Sequence, residues 1–417
     1  MSASSHPSFA PVFAPLFDIA VVGTGLVGLA SALGLAQQGW RVALLGHAPA
    51  AVPTSTPKTE NDTDWDNRIY AFSPATQALL TRLNVWAQLP SDRLQAVQEM
   101  RIFPESVGNA TQPLHFTAYE ACVPELAWIA ENRSVAQALA TGCRYHPNIQ
   151  WFDQQAVGWT HTATGITLDL SQGQAPPTSI SARLVVGADG KHSWVRAQAG
   201  ITIKTHDYQQ TGVVANFTCQ QPHGGTAWQW FREDGILALL PLPNKKVSMV
   251  WSANPEQTEY LLSLSPDALA QAVTQASGGV LGDLHTLTPA AGFPLGLQDA
   301  SSLIAERVAL VGDAAHVVHP LAGQGMNLGM GDVAALLDVI AERESYRELD
   351  DMRLLQRYSR QRALPIAAMR GVTHGLQQLF HTQHPAAQWL RKTGMQALNL
   401  PPLNVLKKKL MQHAIHH

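Results

Sequence analysis

Two glycines in the stretch 307–332, Gly323 and Gly325, are placed where a protein backbone could approach a ligand closely. The stretch reads RVALVGDAAHVVHPLAGQGMNLGMGD, and its apolar run Val308–Val311 predicts a strand buried on both faces. Glycine has no side chain to block a ligand. A helix predicted from about Met326 would point free N–H groups and the positive end of its dipole at that ligand. This arrangement suits an electron-rich acceptor group, and an ordinary strand–loop–helix with glycine turns is the alternative.

Two histidines in the same stretch raise the question of a metal site. His316 and His319 lie three residues apart, but no third ligand is obvious beside them. We therefore expect no metal. His319 is also the best candidate for a residue that deprotonates a substrate.

The element that must position a ligand lies near the start of the chain, where Gly23, Gly25 and Gly28 form a GxGxxG pattern. An apolar strand precedes the pattern, a helix of small residues follows it, and a second strand comes next. In such a βαβ unit the first glycine makes a tight turn, the second admits a pyrophosphate, and the third lets helix and strand pack closely. We therefore predict a dinucleotide site, with Leu26 and Val27 beside the ligand at the helix N-terminus.

One residue of the dinucleotide pattern is missing. An acidic residue should end the second strand and bind the ribose 2′-OH. Gly46 and His47 stand in its place, and the next acids, Glu60 and Asp62, lie beyond a loop rich in Pro, Thr and Ala. Losing one charge-assisted hydrogen bond costs on the order of 1.5–3 kcal/mol. Either His47 or a backbone group takes over this contact, or the affinity for the dinucleotide is reduced.

Composition limits the class of protein. The 417 residues are 46% hydrophobic and 14% charged, which is enough for a large core and two domains. A formal net charge of −3 gives no footprint for a polyanion, so nucleic acid is not an expected partner. Cys122, Cys143 and Cys219 are scattered without a CxxC pair, which indicates reduced thiols in a cytoplasmic protein. No basic residue precedes the first apolar residues, so we expect no signal peptide.

Three other segments place a charged residue next to a turn or a helix start. Arg68 precedes a segment in which Ser73, followed by a proline, predicts a helix N-cap. Arg133 lies at the start of a predicted helix, and Asp189 and Gly190 follow an apolar strand. Without a ligand, these residues would be a surface arginine, a salt bridge at a helix cap and an Asx-turn, respectively.

The segments RIYAFSPAT, WIAENR, GADGKHSWVR and GDAAHVVHP resemble the motifs of the class A FAD-dependent aromatic hydroxylases, which are flavoprotein monooxygenases. The form HPLAGQGMNLG, residues 319–329, is similar to the ubiquinone-biosynthesis hydroxylase branch of that family. The resemblance covers nearly the whole chain. It implies an α/β fold with a Rossmann-like FAD-binding domain of the glutathione-reductase type, a β-sheet substrate domain and a helical C-terminal segment.

The resemblance also implies roles for individual residues. The implied cofactor-binding set is Gly23, Gly25, Leu26, Val27, Gly28, Arg68, Arg133, Asp189, Gly190, Gly312, Asp313, Gly323, Gly325, Met326 and Asn327. In the family, the residue matching Arg68 reaches the phosphate or ribitol side of the flavin, and the one matching Asp313 bonds the ribitol. The implied catalytic residues are Pro320 at the flavin edge, His319, and Gly325 at a helix start that stabilises charge on the ring.

The chemistry that the resemblance implies uses FAD, O2 and NAD(P)H as a transient reductant. Reduced FAD forms a C4a-hydroperoxide, whose distal oxygen is attacked by the electron-rich ring of a prenylated phenol or quinone precursor. Other ubiquinone-biosynthesis proteins are expected partners.

A flavin-dependent reductase or dehydrogenase of a prenyl substrate is one alternative function. A non-catalytic scaffold is another, suggested by Gly46. A flavin halogenase is not supported, because the WxW at Trp228–Trp230 lacks the following xIP.

The expected division of the chain follows from these motifs. The segments are 16–200 and 293–345 for the two parts of the FAD-binding domain, 201–292 for the β-sheet substrate domain, and 346–417 for the C-terminal helical segment. Pro365 should break a helix in the last segment. Lys407–Lys409, among apolar residues, could touch an anionic membrane surface, so peripheral contact with the inner membrane is left open beside a cytoplasmic location. A solvated helix end is the alternative.

Overall fold

The computed structural model describes residues 16–49, 64–103, 113–171, 178–318 and 324–381, and the side chains of 324 and 372–381 are outside that description. The strands are β1 (Leu16–Val22), β2 (Val42–Leu45), β3 (Ile69–Phe72), β4 (Gln95–Val97), β5 (Glu99–Phe103), β6 (Leu114–Thr117), β7 (Ala127–Glu131), β8 (Ile149–Phe152), β9 (Gln155–His161), β10 (Ile166–Ser171), β11 (Thr178–Gly187), β12 (Ile203–Cys219), β13 (Thr226–Arg232), β14 (Gly235–Leu242), β15 (Lys246–Ala253), β16 (Leu284–Thr286), β17 (Ala291–Ala300), β18 (Ile304–Ala305), β19 (Val308–Leu310) and β20 (His316–Val317). The helices are α1 (Leu26–Gln37), α2 (Pro74–Arg82), α3 (Ala118–Ala121), α4 (Asn132–Tyr145), α5 (Trp194–Gln198), α6 (Pro255–Ser263), α7 (Pro266–Ala276), α8 (Gln324–Ala341) and α9 (Met352–His381).

The first sheet has a parallel centre, in which β19, β11, β1, β2 and β8 lie side by side. Ile19 and Val21 of β1 pack in one core with residues of α1, α4 and α8, whereas Ala20 packs on the other face with residues of the antiparallel strand β10. Strands covered on both faces carry apolar residues without alternation. The predicted buried strand at Val308–Leu310 is confirmed, since all of its residues are fully buried.

The second sheet is mostly antiparallel and takes its strands from separate parts of the chain. Its order is β20, β17, β12, β15, β14, β13, β5 and β6, with β16 paired to β12. Val213 and Phe217 on one face of β12 pack against α6 and α7. On the opposite face, the Asn216 Nδ2 donates to the Asp66 carbonyl at 3.0 Å, so this face is turned toward the segment that leads into β3.

Two details of the fold differ from the predictions made from the sequence. The boundary expected between residues 292 and 293 falls inside β17, and β5 and β6, from the segment 16–200, join the second sheet. The division into domains stays a prediction. The expectation that Pro365 breaks a helix is wrong, because α9 continues through it. Buried Tyr358 and Arg362 hold that helix against the first sheet and α8, which offsets the hydrogen bond lost at proline.

Candidate functional site

The carboxyl ends of three parallel strands bring three predicted loops to one edge of the first sheet. Gly23 follows β1, Asp189 follows β11 shortly after its end, and Gly312 follows β19. The Gly23 N–H donates to the Leu45 carbonyl at 2.9 Å, and the Ala188 N–H donates to the Val22 carbonyl at 2.8 Å. Ligands of open α/β sheets bind at this edge. The structure therefore brings together residues that lie nearly 300 positions apart in the sequence.

The glycines of the GxGxxG loop fall into two kinds. Gly23 has a φ of +115°, and a Cβ there would collide with the Ala188 carbonyl. A Cβ on Gly28 would collide with the Gly23 carbonyl, because the helix packs tightly on the turn. A Cβ on Gly25, in contrast, would meet no protein atom within 4 Å. Packing among the described residues thus gives no reason for Gly25, and the space in front of it is open to a ligand.

The N-terminus of α1 is built to receive an anion. No side chain caps it, and no acidic residue occupies its first turn. The first helical hydrogen bond runs from the Leu29 N–H to the Gly25 carbonyl, so the N–H groups of Leu26 and Val27 precede that ladder. Free N–H groups and the positive dipole end together favour phosphate.

Asp189 has one carboxylate oxygen bound by the protein and one left over. Its Oδ2 accepts a hydrogen bond from the Val195 N–H at 3.0 Å. Its Oδ1 is buried and has no partner among the residues that the structure describes. A buried acceptor without a donor costs on the order of 1–3 kcal/mol, so this atom suits a hydroxyl or N–H supplied from outside the chain. Gly190 next to it has a φ of +81° and open space at its Cβ position.

Asp313 directly follows Gly312, at the same edge of the first sheet. Solvent reaches its carboxyl group, but protein surrounds it on most sides. This burial raises its pKa above the ordinary value, against the opposing charges of His316, Lys191 and Arg68. The exposed Arg68 guanidinium stacks on the ring of Phe293 in β17, 5.1 Å from its centre. Lys191 and Arg68 thus lie close enough to Asp313 for their charges to act on its carboxyl group.

At the start of α8, Gly325 and Met326 are partly accessible, whereas Asn327 is buried. Gly325 has no protein atom closer than 3.8 Å to its Cβ position, and Met326 is half-buried. The Asn327 side chain is buried and hydrogen-bonded within the protein. Its Oδ1 accepts from the Ser73 N–H at 2.9 Å and the Thr76 hydroxyl at 2.8 Å, and its Nδ2 donates to the Ala71 carbonyl. Asn327 thus holds the start of α8 to the segment around Ser73, and its contact with a cofactor stays a prediction.

Arg133 makes the salt bridges at a helix start that were the alternative to a cofactor contact. Its guanidinium lies 2.6 Å from the Asp64 carboxylate and 3.1 Å from that of the nearly inaccessible Glu131. Its backbone N–H donates to the Asp66 Oδ2 at 3.0 Å. Arg133 therefore fixes the segment that leads into Arg68, and direct contact with a cofactor stays a prediction.

Sequence reasoning missed the most deeply buried charges beside the site. Asp332 on α8 is fully buried, and its Oδ2 accepts from the Gly312 N–H at 2.9 Å and lies 2.6 Å from the His316 Nε2. Its Oδ1 accepts from the Arg362 Nε at 2.7 Å. Burial would raise the pKa of Asp332, but the charges and hydrogen bonds of His316 and Arg362 outweigh it and hold that pKa below the ordinary value. An acid in the middle of the mostly apolar helix α8 was the available signal.

Three predicted residues, His319, Pro320 and Gly323, lie outside the part of the chain that the structure describes. Within the described part of the chain, no three His, Cys, Asp or Glu side chains are grouped so that they could hold a metal ion. The three cysteines are unpaired. No described helix combines the length and apolar character needed to cross a membrane.

Comparison with known proteins identifies the family. A family model described as an FAD binding domain matches residues 17–371. The 3-demethoxyubiquinol 3-hydroxylase of Escherichia coli is 34% identical over 404 residues, which is 95% of this chain and 98% of that protein. The ubiquinone hydroxylase UbiL of Rhodospirillum rubrum is 32% identical over 401 residues, 95% of this chain and 89% of that protein.

The chain belongs to the family of FAD-dependent monooxygenases. The fold agrees: the crystal structure of p-nitrophenol 4-monooxygenase PnpA from Pseudomonas putida DLL-E4 matches with a TM-score of 0.76, at 18% identity, over 96% of this chain and 99% of that one. The predictions of the family, the α/β fold with an FAD-binding Rossmann-like domain, and the cofactor FAD are confirmed.

The residues of this monooxygenase fit FAD. The uncapped start of α1, the open space at Gly25 and the unpartnered Asp189 Oδ1 offer the donors, room and acceptor that a dinucleotide needs. Asp313 follows Gly312 at the same edge of the first sheet, and Arg68 contacts Phe293 of the second sheet. The candidate site thus extends from the start of α1 to Arg68 beside the second sheet.

Proposed function

We propose that this monooxygenase hydroxylates the aromatic ring of a prenylated phenol or quinone precursor in ubiquinone biosynthesis, using NAD(P)H and O2. The observation that carries the proposal is the similarity, along nearly the whole chain, to two enzymes named as ubiquinone-pathway hydroxylases. Because a fold alone does not give a substrate, the identity of the phenol needs a direct test.

Each end of the site has a proposed task in holding FAD. The start of α1, with Leu26 and Val27, binds the pyrophosphate, while Asp189 and Gly190 complete that loop. Asp313 accepts hydrogen bonds from the ribitol, and Arg68 balances charge on the phosphate or ribitol side. Gly312, with a φ of +60°, turns the chain before Asp313, and the buried Asp332 fixes that turn.

The second sheet supplies the proposed wall of the substrate pocket. Ile69 of β3, next to Arg68, packs in one cluster with Leu242 and with the partly buried Leu240 and Met100. Phe293 on β17 lies under the Arg68 guanidinium. This apolar cluster, close to Arg68 in the chain, is the proposed lining for an aromatic ring with a prenyl chain.

The proposed mechanism uses the protein for position and electrostatics. Bound FAD supplies the redox chemistry that takes electrons from NAD(P)H and activates O2. The N–H groups of Gly325, Met326 and Asn327 at the start of α8 stabilise negative charge that develops at the cofactor's edge. The apolar wall excludes water from the reacting atoms. Proposed roles of His319 as the base and Pro320 as a contact at the ring edge rest on the resemblance alone.

The decisive experiment measures product and not only reductant. Purified protein with FAD is supplied with NADH or NADPH, a short-chain prenylated phenol and ¹⁸O2, and products are analysed by mass spectrometry. Hydroxylated product with one ¹⁸O atom is expected. Consumption of NAD(P)H without hydroxylated product would favour the reductase alternative and contradict the proposal.

We also propose that the protein works in the cytoplasm and touches the inner membrane peripherally, where a prenylated substrate resides. Lys407–Lys409 and their apolar neighbours are the proposed contact. Sedimentation with vesicles containing anionic lipid should exceed that with neutral vesicles. Replacing the three lysines by glutamine should remove the difference, and equal sedimentation of the unchanged protein with both vesicle types would contradict the proposal.

A further inference from the structure

Residue 46, where the ribose-binding acid is expected, cannot readily be an acidic residue in this chain. Gly46, directly after β2, has a φ of +133°, which side chains rarely adopt. A Cβ there would also lie 3.1 Å from the Oγ1 and Cγ2 atoms of Thr24. A glutamate at residue 46 would therefore be strained in both backbone and side chain.

A carboxylate reaches the same place from the neighbouring strand. β8 runs parallel to β2, with Phe152 opposite Leu45, so the residue after each strand emerges at the same edge of the sheet. The Gly46 N–H donates to the Phe152 carbonyl at 3.1 Å. The residue that follows Phe152 is Asp153. Its separation from Gly46 in the sequence is more than a hundred residues, but the strand pairing makes them neighbours.

Asp153 is held beside the glycine loop. Its Oδ1 lies 2.8 Å from the His47 Nδ1, and the His47 carbonyl accepts a hydrogen bond from the Thr24 hydroxyl at 2.6 Å. Thr24 is part of the GxGxxG pattern, so this chain of contacts ties the carboxylate to the loop that meets the cofactor's pyrophosphate. More than half of the Asp153 side chain, 59%, remains open to solvent and can still accept hydrogen bonds.

We propose that Asp153, oriented by His47, binds the adenosine ribose hydroxyls of FAD from β8, in place of the acid missing after β2. A carboxylate at this edge can accept hydrogen bonds from the 2′-OH, which is the task of the acid in other dinucleotide folds. His47 is a positioning residue, since it holds Asp153 and lies against the same loop. An exposed ion pair such as Asp153–His47 contributes little to the stability of the fold, so we attribute its arrangement to ligand binding.

The test compares two cofactors on two proteins. Apoprotein is titrated with FAD and with an FAD analogue whose adenosine carries 2′-deoxyribose, and dissociation constants are read from flavin fluorescence. The unchanged protein should bind the analogue about 10- to 100-fold more weakly than FAD, as expected for one charge-assisted hydrogen bond. Asp153→Asn should bind FAD about 10- to 100-fold more weakly and should distinguish far less between the two cofactors.

Two further variants separate binding from structure. Asp18→Asn is the control, because the Asp18 carboxylate is likewise held by one oxygen, which accepts from the Arg41 N–H at 3.0 Å, but lies at the amino end of β1. It should leave both constants unchanged. His47→Ala should reduce the discrimination between cofactors, and it should leave the thermal unfolding of the apoprotein unchanged.

Several outcomes would overturn the inference. Asp153→Asn could bind FAD as tightly as the unchanged protein, or keep the full discrimination against the analogue. In either case the 2′-OH contact comes from elsewhere. These outcomes leave the hydroxylase proposal intact, since that proposal fails only if the FAD-loaded protein makes no hydroxylated product.

Discussion

Replacing Asp332 by asparagine should cost the protein a large part of its stability. The carboxylate is fully buried between His316, which is 4% exposed, and Arg362, which is 5% exposed. Asparagine keeps the shape but leaves the Arg362 guanidinium without its charged partner at 2.7 Å. Removing one member of a buried ion pair costs about 3–5 kcal/mol. The free energy of unfolding, measured by urea titration with tryptophan fluorescence, should fall by that amount.

Asp338→Asn on the same helix is the matched control. Asp338 pairs with Arg82 at 2.6 Å, but both side chains are more than 40% exposed. Such a surface pair contributes about 1 kcal/mol or less. A loss below about 1 kcal/mol for Asp332→Asn, or an equal loss in both variants, would refute the assignment of Asp332 as a buried anchor.

The pH dependence gives this prediction a second measurement. The pKa of Asp332 is held below its ordinary value of 3.8, so its stabilising contribution is present above that value in the folded protein. It is lost as the pH falls through the lower folded-state pKa. The difference in unfolding free energy between the unchanged protein and Asp332→Asn should therefore shrink below pH 3.8. A difference that is constant across this range would mean that the charge of Asp332 is not what stabilises the fold.

The remaining predictions concern FAD. Gly25→Ala should change the unfolding free energy of the apoprotein by less than about 1 kcal/mol but weaken FAD binding, because the new Cβ meets no protein atom and enters the space proposed for the ligand. Gly371→Ala on α9, which also has open space at its Cβ position, should change neither the unfolding free energy nor FAD binding. Gly46→Glu should weaken FAD binding or destabilise the protein by about 1–3 kcal/mol, and tighter binding would show that the position after β2 is a true vacancy. Asp313→Ala should raise the FAD dissociation constant about 10- to 150-fold in the same titration, and unchanged binding and turnover would remove Asp313 from the site.

Local patterns in the sequence predicted the elements and several of their ends. Ser73 caps α2 as expected, with its hydroxyl accepting from the Thr76 N–H, and proline occupies the first turn. The glycines of the βαβ unit stand where a turn and a close approach require them. These features depend on residues within a few positions of one another, and their physics is contained in a short window of sequence.

Long-range pairing lies outside such a window. The assignment of β5 and β6 to the second sheet depends on the parallel pairing of β5 with β13, more than a hundred residues later. The neighbourhood of Gly46 and Asp153 depends on β2 and β8 in the same way. The sequence showed that an acid was missing at residue 46, but the strand order was needed to show which other acid lies there.

The state of each polar group's hydrogen bonds distinguishes residues that hold the fold from those available to a ligand. Asp332 and the Asn327 side chain have partners for their polar atoms within the protein, so their substitution should be felt mainly in stability. Asp189 has a buried oxygen with no partner among the described residues, and Asp153 is held by one oxygen while much of its side chain stays open. The family resemblance placed both Asn327 and Asp189 in the cofactor-binding set. Their bonding in the folded chain separates the two, and it favours Asp189 over the side chain of Asn327 as a contact for FAD.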